Sequence, residues 1–157
     1  MDSPSEGGVI TMPFARILVP LDGTRRSKSV LPYAAGLATR SNSKVLLLTV
    51  LPSPNERSIG LGERGAIALP PSAEHEAALE ESLQILARSL QQDGLVVETE
   101  IRHGVPSQEI LRAAMDWRCD VIAMATRANR GVKRLVLGSV AEEVLRGSRL
   151  PVLLIAA

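Results

Sequence analysis

Short apolar runs alternate along this chain with longer stretches in which apolar residues return every three or four positions. The runs are Ala15–Leu21, Lys44–Leu51, Val96–Arg102, Asp120–Ala125 and Pro151–Ala156. Brief segments rich in Val, Ile and Leu predict strands. Four of these five are apolar on both faces, the pattern of strands covered by helices above and below. The third alternates, with Val97 and Ile101 set among Glu98, Glu100 and Arg102, and this predicts a half-exposed edge strand.

Helical spacing fills the gaps. Residues 25–41 carry Val30, Leu31, Ala34, Leu37 and Ala38 on one stripe. Residues 73–92 carry Leu79, Leu83, Leu86 and Leu90; Ser72 is the expected N-cap, Glu74 and Glu76 suit the first turn, and Asp93-Gly94 is the stop. Residues 106–117 start at Pro106 and align Ile110, Ala114 and Trp117. Residues 139–147 align Val140, Val144 and Leu145 and end at Gly147.

The order β-α-β-α-β-α-β-α-β predicts an α/β fold: a single doubly wound domain, a five-stranded parallel sheet with helices on both faces. Such sheets bind ligands beyond the carboxyl ends of their strands, where the strand order reverses. Residues 20–24, 49–51 and 126–131 are the segments at those ends. The domain is expected to span 14–157, preceded by a disordered extension at 1–13. Residues 52–71, with prolines at 52, 54, 70 and 71, read as a flexible loop, either a flap over the site or a mobile insertion. Met12, just ahead of the first strand, offers a second translation start.

Composition narrows the function classes. A net charge of +1 supplies no basic field for nucleic acid. Phe14, Tyr33 and Trp117 are the only aromatics, too few for a base-stacking platform. No apolar run is long enough to span a bilayer, and the N-terminus lacks the basic and apolar regions of a signal peptide. Cys119, the single cysteine, reads as a buried inert thiol, and a cytoplasmic location is expected. His75 and His103 lack ligand-like spacing, so no metal site is expected. Neither a Walker loop, a dinucleotide fingerprint nor a Ser-His-acid set is present, so no catalytic residue is assigned.

The segment from Ala125 to Ser139 is the richest in chemistry. A strand, a loop bearing Arg127, Arg130, Lys133 and Arg134, and a Gly138-Ser139 helix start together make an anion cradle. Those cations also suit a solvated surface loop. Ser139 with Glu142 fits a capping box, and the same hydroxyl and amides suit a phosphate. Asp22, followed by Gly23, is either a ligand for a ribose hydroxyl or base amine, or a turn or capping aspartate.

Over residues 14–156 the chain resembles the universal stress protein family. The resemblance rests on Ile17–Gly23, Gly104–Leu111, Leu135–Leu145 and Leu150–Ile155. It implies strand order 3-2-1-4-5 and a homodimer through the last strand, at Val152, Leu153, Leu154 and Ile155. It also implies an ATP site, with or without Mg2+. Asp22 would meet ribose or adenine beside Pro20 and Leu21, and Val50 would pack on the base. Gly104 would permit close approach. Ala125, Thr126, Arg127, Ala128 and Arg130, with Gly138, Ser139 and Val140, would hold the phosphates. A regulatory role in stress, exerted through nucleotide-dependent dimer or partner contacts, would follow; the alternative is a dimeric interaction module of the same fold without ATP.

The family's phosphate motif is Gly-x-x-Gly, nine residues, then Gly-Ser/Thr. The spacing is intact here, but Ala125 and Ala128 replace the leading glycines. If the second position needs φ > 0 or close phosphate approach, its methyl group costs roughly 1 kcal/mol. Ala128→Gly is therefore expected to tighten ATP binding about fivefold in calorimetric titration. Unchanged affinity would show that this methyl does not limit binding.

Overall fold

The computed structural model describes residues 14–53, 72–127 and 137–157. The expected extension at 1–13 and residues 54–71 of the expected flexible loop lie outside them. So do Ala128, Arg130, Lys133 and Arg134.

The elements are β1 (Arg16–Pro20), α1 (Arg25–Lys28), α2 (Leu31–Ser41), β2 (Lys44–Leu51), α3 (Ala73–Gln92), β3 (Val96–His103), α4 (Pro106–Asp116), β4 (Val121–Thr126), α5 (Ser139–Gly147) and β5 (Val152–Ala156). All strand pairs are parallel, in the order β3-β2-β1-β4-β5. The chain moves outward through β2 and β3, returns to the centre, and moves out the other way through β4 and β5. The reversal lies between β1 and β4, where the doubly wound reading places a ligand.

Alternation along each strand feeds two cores. Ile17, Val19, Val45, Leu47, Val121 and Ala123 face α2 and α3, meeting Ala34, Ala38, Leu83 and Ala87. Leu18, Leu46, Leu48, Ile122 and Met124 face α4 and α5, meeting Ile110, Ala113, Ala114, Ala141 and Val144. Ile17, Leu18, Leu47, Leu48 and Ile122 are fully buried. Each such side chain contributes about 1.5–3 kcal/mol, well above what helix propensity adds per residue.

Two boundaries differ from the sequence reading. The helix expected over 25–41 is broken into α1 and α2. Pro32 is the cause: in a continuous helix its ring would strike the Lys28 carbonyl, whereas at the start of α2 it is tolerated. α4 ends at Asp116, with Trp117 as its C-cap. The strand order is the one the resemblance implies, with β5 at the sheet's outer edge; although its run is apolar on both faces, Val152–Ile155 are only half-buried. β3 occupies the opposite edge, as its alternation predicts.

The centre of the sheet is thinly paired. β1 and β2 align from Arg16↔Lys44 to Pro20↔Leu48, but β1 and β4 align only at Ile17↔Val121 and Leu18↔Ile122. Arg16 N donates to Asp120 Oδ2 on the β4 side, and Leu21 N donates to Leu48 O of β2. Even-numbered amides of β1 therefore face β4. Pro20, which has no N–H, falls on that side and ends the pairing there.

Cys119 sits just before β4, 5% exposed. Burial, reinforced by the Asp120 charge and only partly opposed by Arg16, pushes its thiol up to about 12. At neutral pH it is expected to resist a thiol-specific disulfide reagent in the folded protein and to react fully after denaturation. Rapid labelling of the native protein would contradict this placement.

Candidate functional site

Where β1 and β4 part, a cavity of about 490 Å3 opens at the carboxyl ends of the strands. Pro20, Leu21 and Asp22 border it from β1, and Val50 from β2. Ala125, Thr126 and Arg127 border it from β4, and Gly138, Ser139 and Val140 from α5. The fold thus brings together ten of the residues singled out in the sequence.

The turn after β1 is internally braced. Asp22 Oδ1 accepts from Thr24 N at 2.9 Å and from Thr24 Oγ1 at 2.5 Å. Thr24, not Asp22, caps α1, its hydroxyl accepting from Ser27 N at 3.1 Å. Ser27 Oγ in turn donates to Thr24 O at 2.9 Å. The turn reading of Asp22 therefore holds, and these bonds engage one carboxylate oxygen. Gly23 has φ +82, and a Cβ there would stand 3.0 Å from Leu79 Cδ2 of α3. The backbone requires glycine at this point, while the space needed for a Cβ would also ask the Leu79 side chain to shift.

Burial raises the Asp22 carboxyl. Hydrogen bonds from the Thr24 side chain and amide, from Ser27 and from its own amide outweigh that effect and hold it below the ordinary 3.8.

Ser139 corrects the capping-box expectation. Gly138 is the N-cap of α5, with no side-chain cap, and Glu142 N donates to Gly138 O at 2.9 Å. Ser139 is already helical, one residue too far along to serve as a cap, and Glu142 instead accepts from Arg146 Nη2 at 2.6 Å. The Ser139 side chain is exposed at the cavity wall.

Gly104 is not among the residues lining the cavity, although Pro106, two positions on, is; with φ +141 it sits where a Cβ would meet Glu109 Cγ at 3.2 Å. Its glycine serves the β3–α4 turn and the close approach of α4. Ala128 and Arg130 lie outside the described residues. Ala125 is in regular strand, paired with Ile155, so its methyl is accommodated without a left-handed backbone.

Thr126 bears the most direct sign of a ligand. It is 3% exposed, and its Oγ1 is buried with no hydrogen-bond partner among the described residues. A buried hydroxyl left unpaired costs about 1–3 kcal/mol, so such groups ordinarily find a partner. This one borders the cavity.

The sequence reading missed Arg26, Ser27, Leu48, Pro106, Ile110, Met124, Leu137 and Ala141, which also line it. Ile110 and Met124 carry ordinary core periodicity, with nothing to separate cavity wall from core. Arg26 sits on a helix of four residues, too short to show a face. Among the described residues no group of three or more His, Cys, Asp or Glu is arranged to hold a metal, and no helix is long and apolar enough to cross a membrane.

The model of the universal stress protein family matches residues 13–156, nearly the whole chain. The chain belongs to the universal stress protein family. A relative, universal stress protein MJ0531 of Methanocaldococcus jannaschii, is 30% identical over 143 residues, covering 90% of this chain and 82% of its own. Among solved universal stress proteins, one from Archaeoglobus fulgidus in complex with dAMP is 22% identical with a TM-score of 0.65; it covers 92% of this chain and 99% of its own. Another, in complex with cAMP, is 20% identical with a TM-score of 0.65, covering 92% and 98%. The two structures share the fold of this universal stress protein; the nucleotides are theirs.

Because the Asp22 carboxyl is lowered by folding, its contribution is present above the unfolded value and is lost as pH falls through the folded one. Asp22→Asn is expected to be less stable than wild type at neutral pH, with the gap closing as urea unfolding is repeated down to about pH 3. A gap independent of pH would exclude the carboxylate as its source.

Proposed function

We propose that this universal stress protein binds an adenine nucleotide, ATP with or without Mg2+, in the crevice between β1 and β4. Binding would regulate a homodimer or partner surface in the cytoplasm during stress, with hydrolysis slow at most. The observation that carries the reading is the unpaired Thr126 hydroxyl, buried at the wall of a cavity that also receives the N-terminus of α5. That helix has nine residues, and its first amides and dipole favour an anion.

The residues present fit the group. Thr126, Arg127 and the amides of Gly138, Ser139 and Val140 would hold phosphates, with Ala128 and Arg130 on the intervening loop. A Cβ on Gly138 would meet no described atom within 4 Å, so packing does not require glycine there, and the open space suits a close-lying phosphate. Leu48, Val50, Ile110 and Met124 offer apolar surface for a base. Asp22 would accept from ribose or adenine. The half-buried β5 edge, Val152 to Ile155, is the surface through which we expect the homodimer to form.

The alternative is a dimeric module without ATP, favoured by the alanine at the second motif position, Ala128. Calorimetric titration with ATP and Mg2+ separates the two: saturable heat supports the nucleotide reading, and none at millimolar ligand supports the module. Thr126→Val tests the site itself. It removes the orphaned hydroxyl, so the apo protein should be as stable as wild type or up to about 1 kcal/mol more stable, while nucleotide affinity falls about tenfold. Full retention of affinity would place the nucleotide elsewhere.

A further inference from the structure

The cavity wall is chemically graded. On the β2 side it is apolar, with Leu48 and Val50; on the β4 and α5 side it offers Thr126, Arg127 and the helix amides. Arg26 comes from the β1 turn, yet α1 packs against β4. Arg26 thus borders the cavity from an element that lies against β4, the strand that carries Thr126 and leads to Arg127. The braces around it fix its base: Thr24 caps Ser27, and Ser27 returns a bond to Thr24. Arg26 and Arg127 are both exposed at this rim.

A monophosphate can be served by Thr126 and the α5 amides alone. A longer phosphate chain adds charge that must be met farther out, where a planar guanidinium matches its oxygens in a forked geometry. We propose that Arg26 is the selectivity-determining residue of this site, favouring a di- or triphosphate over a monophosphate or a nucleoside. The proposal rests on the nucleotide reading for the identity of the ligand's base, but its phosphate half can be tested separately.

The test is calorimetry at fixed ionic strength with adenosine, AMP, ATP and inorganic tripolyphosphate, on wild type, Arg26→Ala and Arg26→Lys. Thermal unfolding without ligand should be unchanged in both variants, because the side chain is exposed. The expected result is a loss of about tenfold for ATP and tripolyphosphate in Arg26→Ala, less than about twofold for AMP and adenosine, and partial recovery in Arg26→Lys. Equal weakening of all adenine ligands, or none, overturns the proposal while leaving nucleotide binding intact. Tripolyphosphate binding that depends on Arg26, with no binding of adenosine or AMP and no gain for ATP, overturns the nucleotide reading and keeps the selectivity. A wild type that binds none of the four overturns both.

Discussion

The structure depends on how little holds β1 to β4. Two aligned residue pairs join them, after which Pro20 removes the amide that would have continued the ladder. The crevice opens there because the helices that follow β1 and β4 pack on opposite faces of the sheet, α2 in one core and α5 in the other. The seam is anchored at its opposite end, where Arg16 donates to Asp120 and to the Trp117 carbonyl, its guanidinium 5.7 Å from the centre of the Trp117 ring. Tight closure at the amino ends and release at the carboxyl ends make one mouth, on one side.

The apolar residues that border the mouth are fixed by packing behind it. Leu48, Ile110 and Met124 are at once cavity wall and core, so the apolar side of the site is as rigid as the sheet. The polar side is held by local hydrogen bonds in the β1 turn and by the start of α5. α4 and α5 are also joined directly, Ser107 Oγ donating to Glu143 Oε2 at 2.5 Å.

The layered fold was legible because burial on both faces leaves an unmistakable strand pattern, and because α3 and α4 carry strong stripes with proper starts. Less was legible where one residue decides. Pro32 signalled the break after α1, but the stripe through Val30 and Leu31 ran across it. The β5 run looked central because apolar content reports burial, and the sequence cannot say whether another chain or the core supplies it. In the site, residues at strand ends were readable from topology. Ser139 was misassigned by one position along α5, which changes a capping hydroxyl into an exposed one. Gly104 was drawn toward the ligand by the resemblance, whereas its local neighbour is Glu109. Arg26 left no pattern at all, because exposed residues on short helices obey no periodicity.

Gly23 matters to a neighbour as well as to its own turn. The point at which any other residue would place a Cβ lies 3.0 Å from Leu79 Cδ2, so the volume a side chain would claim beside Asp22 is already filled from α3. A substitution there asks two things at once, that the backbone hold φ +82 with a Cβ and that Leu79 shift. The first strains the turn and the second reaches a helix distant in sequence, so the β1 turn and α3 are not free to vary independently.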